Sequence, residues 1–367
     1  MPKKLIISLV IGVLISTSTL YLAFRNVPLG QLIAYLGRIN YWWIIPTVGM
    51  FFVTFLLRTL RWQLILKDVA AITYRQAFHP LMIGFMMNCV LPGRIGELAR
   101  PVLLKRHHGI AVTSGLATVA AERVFDIFML ISLFALVFTS ISSQSGLSQD
   151  YFGFHLSGAV LKSAALGMIR ISLALLGFII LLTIGTTRRW IMALVSFTGH
   201  VLIKLIPRAK SLIERLTGFS IHVIDNFSIG LSMVRSPRRM LACTGLTIAI
   251  WAITALSYLV FAKGCPGINL SFMEWVTVMV VVCFAIALPS APGFWGLWEA
   301  GGLFALSLFG VGKEDALGLI LVNHAAQIFP VIAIGLISAL ITSVNILHLS
   351  SNGSPGMEHP NATIEGV

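Results

Sequence analysis

Long apolar runs alternate with short polar segments along almost the whole chain. The hydrocarbon core of a bilayer takes about 20 apolar residues of a helix to cross, so runs of this length predict membrane spans. Six runs qualify, and we expect each to form a full transmembrane helix: Leu5 to Phe24, Tyr41 to Leu57, Val124 to Ser140, Ala164 to Gly185, Met240 to Ala262 and Leu317 to Leu347.

Two further apolar runs are long enough to enter the bilayer twice but are broken in the middle. The first extends from His79 to Leu104 and the second from Val276 to Phe309, and each has proline, glycine and a glutamate near its centre. Proline and glycine interrupt helices, so both runs predict re-entrant helical hairpins. The predicted fold class is an all-α polytopic membrane protein with about six full spans and two re-entrant hairpins.

The basic residues indicate how the spans are oriented. Lysine and arginine are retained in cytoplasmic loops. Lys3 and Lys4 precede the first span, and nine basic residues lie between Thr186 and Arg239. We therefore expect both termini to be cytoplasmic, and the loop from Ser142 to Gly158, which has no lysine or arginine, to be outside. The basic segment 105–108 is cytoplasmic only if the first hairpin returns to the side from which it entered.

A P-G-x-x-G motif, followed shortly by a glutamate, stands at the centre of both hairpins. The distances from the motif to the middle of the neighbouring spans agree to within two residues. Because the hairpins enter from opposite faces, the pattern predicts an inverted repeat, an architecture typical of transporters. A chance motif in a glycine-rich chain is the alternative. The predicted turn residues are Pro92, Gly93 and Gly96 in the first hairpin and Pro292, Gly293 and Gly296 in the second.

These boundaries predict one transmembrane domain over residues 1–348. Its repeat halves lie at about 41–140 and 240–347, and an amphipathic cytoplasmic linker at 186–239 joins them. Residues 349–367 are mostly polar, and we expect them to be a disordered tail.

The composition excludes several classes of protein. The chain is 57% hydrophobic and 11% charged, against roughly 45–50% and about 25% in soluble domains, which excludes a soluble enzyme. The net charge of +13 is scattered between apolar runs instead of forming one basic face, which argues against a nucleic-acid partner. The four cysteines stand singly without metal-ligand spacing, so we expect neither a metal nor another cofactor.

Charged residues within the predicted membrane region are the candidate functional residues. A charge at the bilayer centre costs about 2.5–3.5 kcal/mol by insertion scales, so such residues usually face a polar cavity and a partner. We expect Arg94, Arg100 and Arg123 to bind a lipid headgroup, because guanidinium groups contact phosphate in a bidentate manner. The accompanying residues are the carboxylates Glu97, Glu122, Asp126 and Glu299 and the secondary polar residues His324 and Gln327.

Two roles are open for the carboxylates. They either orient the arginines and carry protons during a transport cycle, or they are structural clamps that fasten a hairpin to the helical bundle. Glu122 and Asp126 are four residues apart and share one helix face. Arg123 lies beside that face and is placed to pair with a carboxylate of the first hairpin.

These segments resemble a known family. They are Leu91-Pro-Gly-Arg-Ile-Gly-Glu-Leu-Ala-Arg-Pro with Glu122-Arg123-Val-Phe-Asp126, and Leu288-Pro-Ser-Ala-Pro-Gly-Phe-Trp-Gly-Leu-Trp-Glu299. They are similar to the signature of the lysylphosphatidylglycerol synthase transmembrane region, or flippase-like, family, over Pro2 to His348. The resemblance implies a bacterial or archaeal inner-membrane protein, with relatives linked to hopanoid transport and polyprenyl-linked glycan pathways.

The resemblance and the residues together predict a translocator of an anionic, isoprenoid or polyprenyl-linked lipid, not an enzyme. Only residues 349–367 follow the last predicted span, so we expect no aminoacyl-transfer domain. Two alternatives stay open: an integral-membrane lipid phosphatase or other lipid-modifying enzyme, and a non-transporting accessory subunit of a cell-envelope glycan or lipid pathway. The expected partners are membrane lipids and cell-envelope biosynthesis enzymes.

Overall fold

The computed structural model describes residues 3–25, 27–91, 94–142, 150–151, 154–155, 167, 170, 185–205, 210–230, 236–288 and 291–343. These residues are almost entirely helical, which confirms the predicted all-α class; a pair of two-residue antiparallel strands, Asp150–Tyr151 and Phe154–His155, is the exception among them. The α-helices in chain order are α1 (Lys3–Phe24), α2 (Leu29–Arg38), α3 (Ile44–Leu66), α4 (Tyr74–Val90), α5 (Gly96–His108), α6 (Val112–Ser142), α7 (Gly185–Leu205), α8 (Lys210–Gly230), α9 (Pro237–Ala262), α10 (Phe272–Ala285), α11 (Leu297–Ser307) and α12 (Lys313–Ile341).

Three described segments are long and apolar enough to cross a membrane: Tyr41–Leu66, Pro237–Ala262 and Lys313–Ile341. The first of them starts with a 3-10 turn, Tyr41–Trp43, that continues into α3. The chain is therefore a multi-pass membrane protein. The fourth predicted span, Ala164 to Gly185, lies almost wholly outside the described residues.

Two helices extend beyond the spans predicted from sequence. α3 continues past the predicted end at Leu57, and α6 begins before the predicted start at Val124. The added turns contain charged residues, which lower the local hydropathy and so end a span in a sequence-based prediction. In the folded chain these charges pair with one another between helices, so each helix continues without a break.

Each predicted hairpin is a pair of helices separated by a short break. α4 packs against α5, and α10 packs against α11. Both pairs begin with a capping box: the Thr73 N–H donates to Gln76 Oε1 at 2.9 Å before α4, and the Ser271 N–H donates to Glu274 Oε2 at 2.7 Å before α10. A capping box satisfies N–H groups that have no partner within the helix and so fixes where the helix starts.

The third residue of the motif has the same unusual backbone conformation in both breaks. Arg94 has a φ of 55° and Phe294 a φ of 62°, left-handed values that are uncommon for residues with a side chain. In the second break Gly293 also has a positive φ, of 73°. Pro92 and Gly93 lie outside the described residues, so the turn predicted at these two positions stays a prediction.

The same helix contacts recur in the two halves of the chain. α3 and α9 pack against each other at the centre. α4 packs against α12 and its counterpart α10 against α6, while α5 packs against α6 and α11 against α12. The helices that precede the two halves also make matching contacts. α2, before the first half, packs against α12 of the second, and α8, before the second half, packs against α6 of the first.

The first helix makes a separate contact with the second hairpin. α1 packs against α11, and Ser16 Oγ accepts a hydrogen bond from the Ala291 N–H, in the second break, at 2.8 Å. A Cβ at Gly296 would lie 2.5 Å from the Ser16 carbonyl oxygen and would overlap the Thr19 hydroxyl. The absence of a side chain at Gly296 therefore allows α1 to approach the break.

Candidate functional site

Charged side chains meet inside the bundle where α3, α5 and α6 come together. Residues three or four apart on a helix share a face, and this spacing places two arginines of α3 opposite the acidic face of α6. We call the group the arginine cluster. Its members are Arg58 and Arg61 on α3, Glu97 and Arg100 on α5, and Glu122, Arg123 and Asp126 on α6.

Arg61 is the centre of the arginine cluster and is fully buried. Its Nη1 donates to Asp126 Oδ1 and to Thr247 Oγ1 of α9, both at 2.8 Å, and its Nη2 lies 3.4 Å from Glu122 Oε1. A buried charge without partners is strongly destabilising, so these contacts are what allows a guanidinium to stand here. They connect α3, α6 and α9.

Arg100 is also buried, between an acid and an aromatic ring. Its Nη2 donates to Glu122 Oε2 at 2.5 Å, and its guanidinium carbon lies 3.9 Å from the centre of the Trp62 ring. The indole N–H of Trp62 donates to Thr118 Oγ1 at 3.0 Å. An arginine that is both ion-paired and stacked on tryptophan is held tightly, so Arg100 fastens α5 to α3 and α6.

Arg58, Glu97 and Arg123 form the partly exposed rim of the arginine cluster. The side chains of Arg123 and Glu97 are 31% and 27% exposed, and they approach each other to 3.5 Å. Arg123 and Arg58 each lie 3.5 Å from Asp126 Oδ2. These distances exceed those of strong charge-assisted hydrogen bonds, so the rim arginines are loosely held.

The arginine cluster has one positive charge in excess, because four arginines face three carboxylates. Among the described residues, the buried Nε atoms of Arg61 and Arg100 have no hydrogen-bond partner, and Arg123 Nε has only the 3.5 Å approach to Glu97 Oε1. Unpaired guanidinium N–H groups beside a surplus positive charge are suited to an anion, and phosphate oxygens match the geometry of the guanidinium fork.

Arg94 makes its contacts with the second hairpin instead. Its Nη2 donates to the Ile286 carbonyl oxygen at 2.7 Å, and its guanidinium carbon lies 5.9 Å from the centre of the Phe294 ring. A Cβ at Gly293 would lie 3.2 Å from the Cys89 carbonyl oxygen at the end of α4. The breaks of the two hairpins therefore touch.

Glu299 and His324 form a second polar site, between α11 and α12. His324 Nδ1 lies 2.6 Å from Glu299 Oε1, and both side chains are fully buried. Gln327, one turn further along α12, donates to Asn323 Oδ1 at 2.7 Å. Among the described residues, no three histidine, cysteine, aspartate or glutamate side chains are grouped so that they could hold a metal ion.

Gly96 lies at a close approach of the first hairpin's two arms. A Cβ at this position would overlap the carbonyl oxygen of Gly84 on α4 and would lie 2.6 Å from Asn88 Oδ1. The predicted turn glycine therefore permits α4 and α5 to pack at their junction.

An apolar groove of about 590 Å³ lies between α2, α3 and α12. Ile44 and Val48 line it from α3, Phe329 and Pro330 from α12, and Trp295 from the second break. A groove of this size and lining can hold a hydrocarbon chain.

Sequence reasoning missed Arg58 and Arg61 as members of the site, because it ended the span at Leu57. One signal could have found them. They stand three residues apart in an apolar stretch with neither proline nor glycine before Leu66, so an unbroken helix would place both on one face. Thr247 carried no signal, because its role depends on the packing of α9 against α3.

The comparisons with known proteins agree on a membrane family. The chain is 25% identical to the glycosyltransferase AglD of Haloferax volcanii over 93% of its own length, but it spans only 55% of that relative. It is 24% identical to UPF0104 membrane proteins of Methanocaldococcus jannaschii and Methanothermobacter thermautotrophicus. The matches cover 72% and 78% of this chain and 98% and 79% of theirs.

No solved structure matches the chain. The profile of the family described as "lysylphosphatidylglycerol synthase TM region" matches residues 9–335, most of the sequence. The chain therefore belongs to the lysylphosphatidylglycerol synthase transmembrane region family, as the segments around the two breaks predicted.

Proposed function

We propose that the protein moves a phosphate-bearing lipid between the two leaflets of the membrane. The observation that carries this proposal is the surplus positive charge of the arginine cluster, together with the loosely held rim arginines Arg58 and Arg123. A phosphate oxygen would compensate the surplus and take up the unpaired N–H groups. The apolar groove beside α12 is suited to the hydrocarbon part of such a lipid.

The matched halves of the chain support a transport cycle. The helix contacts and the left-handed residues Arg94 and Phe294 recur in the same order in both halves, in agreement with an inverted repeat over about 41–140 and 240–347. In inverted-repeat transporters, one repeat rocks against the other around a central site. The Arg94 contact with Ile286 spans the two hairpins, so rocking would break and remake it.

A lipid of a glycan pathway is the substrate class that we favour. One similar protein bears the name glycosyltransferase, and an isoprenoid or polyprenyl phosphate combines the phosphate and the long hydrocarbon chain that the two features require. We propose further that both termini lie on the cytoplasmic side of a bacterial or archaeal inner membrane, which the positions of the basic residues support.

The arrangement of the carboxylates favours transport over catalysis. Glu97, Glu122 and Asp126 each lie within 3.5 Å of an arginine, which commits them to ion pairs. The oxygens of such a carboxylate are directed at a guanidinium group instead of at a substrate. A lipid phosphatase would need a free base or nucleophile beside the bound phosphate.

Transport can be measured in proteoliposomes that contain the full-length protein. Fluorescent analogues of polyprenyl phosphate, phosphatidylglycerol and phosphatidylcholine are placed in one leaflet, and their exchange is followed with a membrane-impermeant quencher. We expect faster exchange of the phosphate lipid than of phosphatidylcholine. We also expect Arg123→Gln to slow it by about tenfold or more, the value of one charge-assisted hydrogen bond.

The matched control is Arg75→Gln, which removes an exposed arginine at the start of α4 and should leave the rate unchanged. Equal exchange with and without protein would refute transport. Release of inorganic phosphate from the lipid would indicate a phosphatase, and a protein that does neither but co-purifies with an envelope enzyme would be an accessory subunit.

A further inference from the structure

The contacts of His324 determine the number of protons at the second polar site. Its Nε2 lies 2.9 Å from the Gly293 carbonyl oxygen, and its Nδ1 lies 2.6 Å from Glu299 Oε1. A carbonyl oxygen only accepts hydrogen bonds, so Nε2 carries a hydrogen. A neutral imidazole with its hydrogen on Nε2 has a lone pair at Nδ1.

The contact between Nδ1 and Glu299 Oε1 then requires one further proton. Two lone pairs facing each other at 2.6 Å would repel. A proton on Nδ1 gives an imidazolium and a carboxylate, and a proton on Oε1 gives an imidazole and a carboxylic acid. Both forms contain the same number of protons and have zero net charge, so the pair binds one proton more than a neutral histidine and an ionised glutamate.

The pair is held by a backbone N–H on one side and by two indole rings on the other. Glu299 Oε2 accepts a hydrogen bond from the Gly296 N–H at 2.6 Å. The Trp298 ring stacks on the imidazole with centroids 4.4 Å apart and an interplanar angle of 4°, and Trp295 lies at the same centroid distance. Aromatic faces stabilise a cation. Loss of the proton would leave one uncompensated negative charge in a fully buried site, which is unfavourable.

Among the described residues, the elements packed around the pair bring uncharged groups to it, and Arg94 of the first break contacts Phe294 instead. Ser16 and Thr19 of α1 approach the second break, and the carbonyl oxygen of Cys89 at the end of α4 lies beside it. Tyr258 of α9 hydrogen-bonds with Gln327 of α12. In the described part of the chain, no other charged residue forms an ion pair with Glu299 or His324. Thiols and phenols ordinarily titrate above about pH 8, so neither adds a charge to the pair near neutral pH.

We propose that Glu299 and His324 form a proton-binding site that locks the second break to α12, and that release of the proton loosens the contact between the two hairpins. The proton shared by Nδ1 and Oε1 leaves to water, the pair becomes negatively charged, and the opposed lone pairs separate. One of the two anchors of the break, at Gly293 or at Gly296, is then lost. Phe294, which lies between them, packs beside Arg94 of the first hairpin, so the change reaches both hairpins. A role of this proton as the coupling ion rests on the proposed transport function, whereas the proton site itself does not.

A distance measurement on the full chain tests the lock. Nitroxide labels on Leu98 of α5 and Leu288 beyond α10, both exposed, report the separation of the hairpins in lipid nanodiscs, with the native cysteines replaced. From about pH 5 to about pH 8, where histidine sites titrate, we expect a short-distance population to convert to a longer one. Glu299→Gln should keep the short distance throughout, because its amide donates to Nδ1 while its oxygen accepts from Gly296.

The matched control is Glu314→Gln at the start of the same α12, which should respond to pH as the native sequence does. The proposal would be overturned if the distance between the two labels did not change with pH. It would also be overturned if this distance changed with pH in Glu299→Gln as it does in the control. Nitrogen-15 spectra of histidine-labelled native protein provide a second measurement that needs no cysteine replacement. The ring signals of His324, identified by their loss in His324→Gln, should titrate in the native protein and stay constant in Glu299→Gln.

Lipid exchange measured on the same samples separates the two proposals. We expect the exchange rate of the native protein to change by about tenfold per pH unit on one side of the transition, as for a single titrating site, and by less than about twofold in Glu299→Gln. Lipid exchange without a pH-dependent distance would retain the transport function and refute the proton lock. A pH-dependent distance without lipid exchange would retain the lock and refute the transport function.

Discussion

Glu122 and His324 occupy matching places in the two halves of the chain. Glu122 on α6 receives Arg100 from α5 at 2.5 Å, and His324 on α12 contacts Glu299 from α11 at 2.6 Å. Each contact fastens the second arm of a hairpin to the long helix that follows it. The first hairpin contributes the cation and the second hairpin the carboxylate. Arginine stays protonated in proteins, so the first contact has a fixed charge, whereas the proposed proton site lies in the second.

Replacing Arg100 with methionine should destabilise the protein. The sequence predicts a headgroup ligand at this position, but the burial of Arg100 between Trp62 and Glu122 favours a structural role. Removing one partner of a buried ion pair costs about 3–5 kcal/mol. Thermal unfolding in detergent micelles should therefore show a clearly lower midpoint. The double variant Arg100→Met with Glu122→Gln should recover part of the loss, because no unpaired acid is left; a single variant as stable as the native protein would contradict the clamp.

Replacing Arg94 with asparagine should impair transport without unfolding the protein. Asparagine tolerates a positive φ better than most residues, so the backbone at φ 55° is preserved. The hydrogen bond to Ile286 is lost, and hydrogen bonds from charged donors contribute about 1.5–3 kcal/mol. We expect a small decrease of the unfolding midpoint, since this hydrogen bond is exposed, together with slower lipid exchange. An unfolding midpoint that falls while exchange by the folded fraction stays native would show that Arg94 only stabilises the fold.

Gly296→Ala should be more damaging than Gly310→Ala. Both glycines have a positive φ, 90° and 73°, and a left-handed backbone costs a residue with a Cβ about 1–2 kcal/mol. A Cβ at Gly310 meets open space, whereas one at Gly296 overlaps the Thr19 hydroxyl. The difference between the two unfolding midpoints therefore combines the packing of α1 on the second break with the greater backbone strain at Gly296, whose ψ is −54°. Equal midpoints would show that α1 adapts freely.

Cysteine labelling should establish the orientation in the membrane. A cysteine at position 145 should react with an impermeant maleimide added outside, and a cysteine at position 107 should react only after permeabilisation. Native Cys265 is an internal control, because burial raises the pKa of its thiol to about 12 and leaves little reactive thiolate. External labelling at position 107 would show that the first hairpin crosses the membrane instead of returning.

Much of the fold could be predicted from the sequence, because proline and glycine interrupt apolar runs visibly. The positions of both breaks and the common helix face of Glu122 and Asp126 follow from spacing alone. The sequence could not show that α3 continues to Leu66. Hydropathy treats each residue by itself, whereas Arg61 is tolerated inside the bundle only because Asp126 and Thr247, distant in sequence, supply its partners.

Some contacts of the candidate site could likewise be predicted from the sequence, and others could not. The association of Arg123 with Glu97 could be anticipated from the hairpin motif and the helix that follows it. The contact of Arg94 with Ile286 could not, since it joins residues 192 positions apart and depends on where the second hairpin ends. The number of protons on Glu299 and His324 could not be predicted from the sequence either, because it depends on which atoms face the imidazole ring.

α1 packs against the second hairpin, and no comparable contact of α1 with the first hairpin is found among the described residues. In a transporter built from two identical inverted halves, the inward-facing and outward-facing forms would have the same free energy. A helix that packs against one half and not the other makes the free energies of the two forms different. A cycle that exchanges the roles of the hairpins must then start from a preferred resting form. Binding of the lipid has to supply the free energy that converts this form into the other one. In the proposed transport cycle, the N-terminal helix, which belongs to neither half, thus determines which form is preferred at rest.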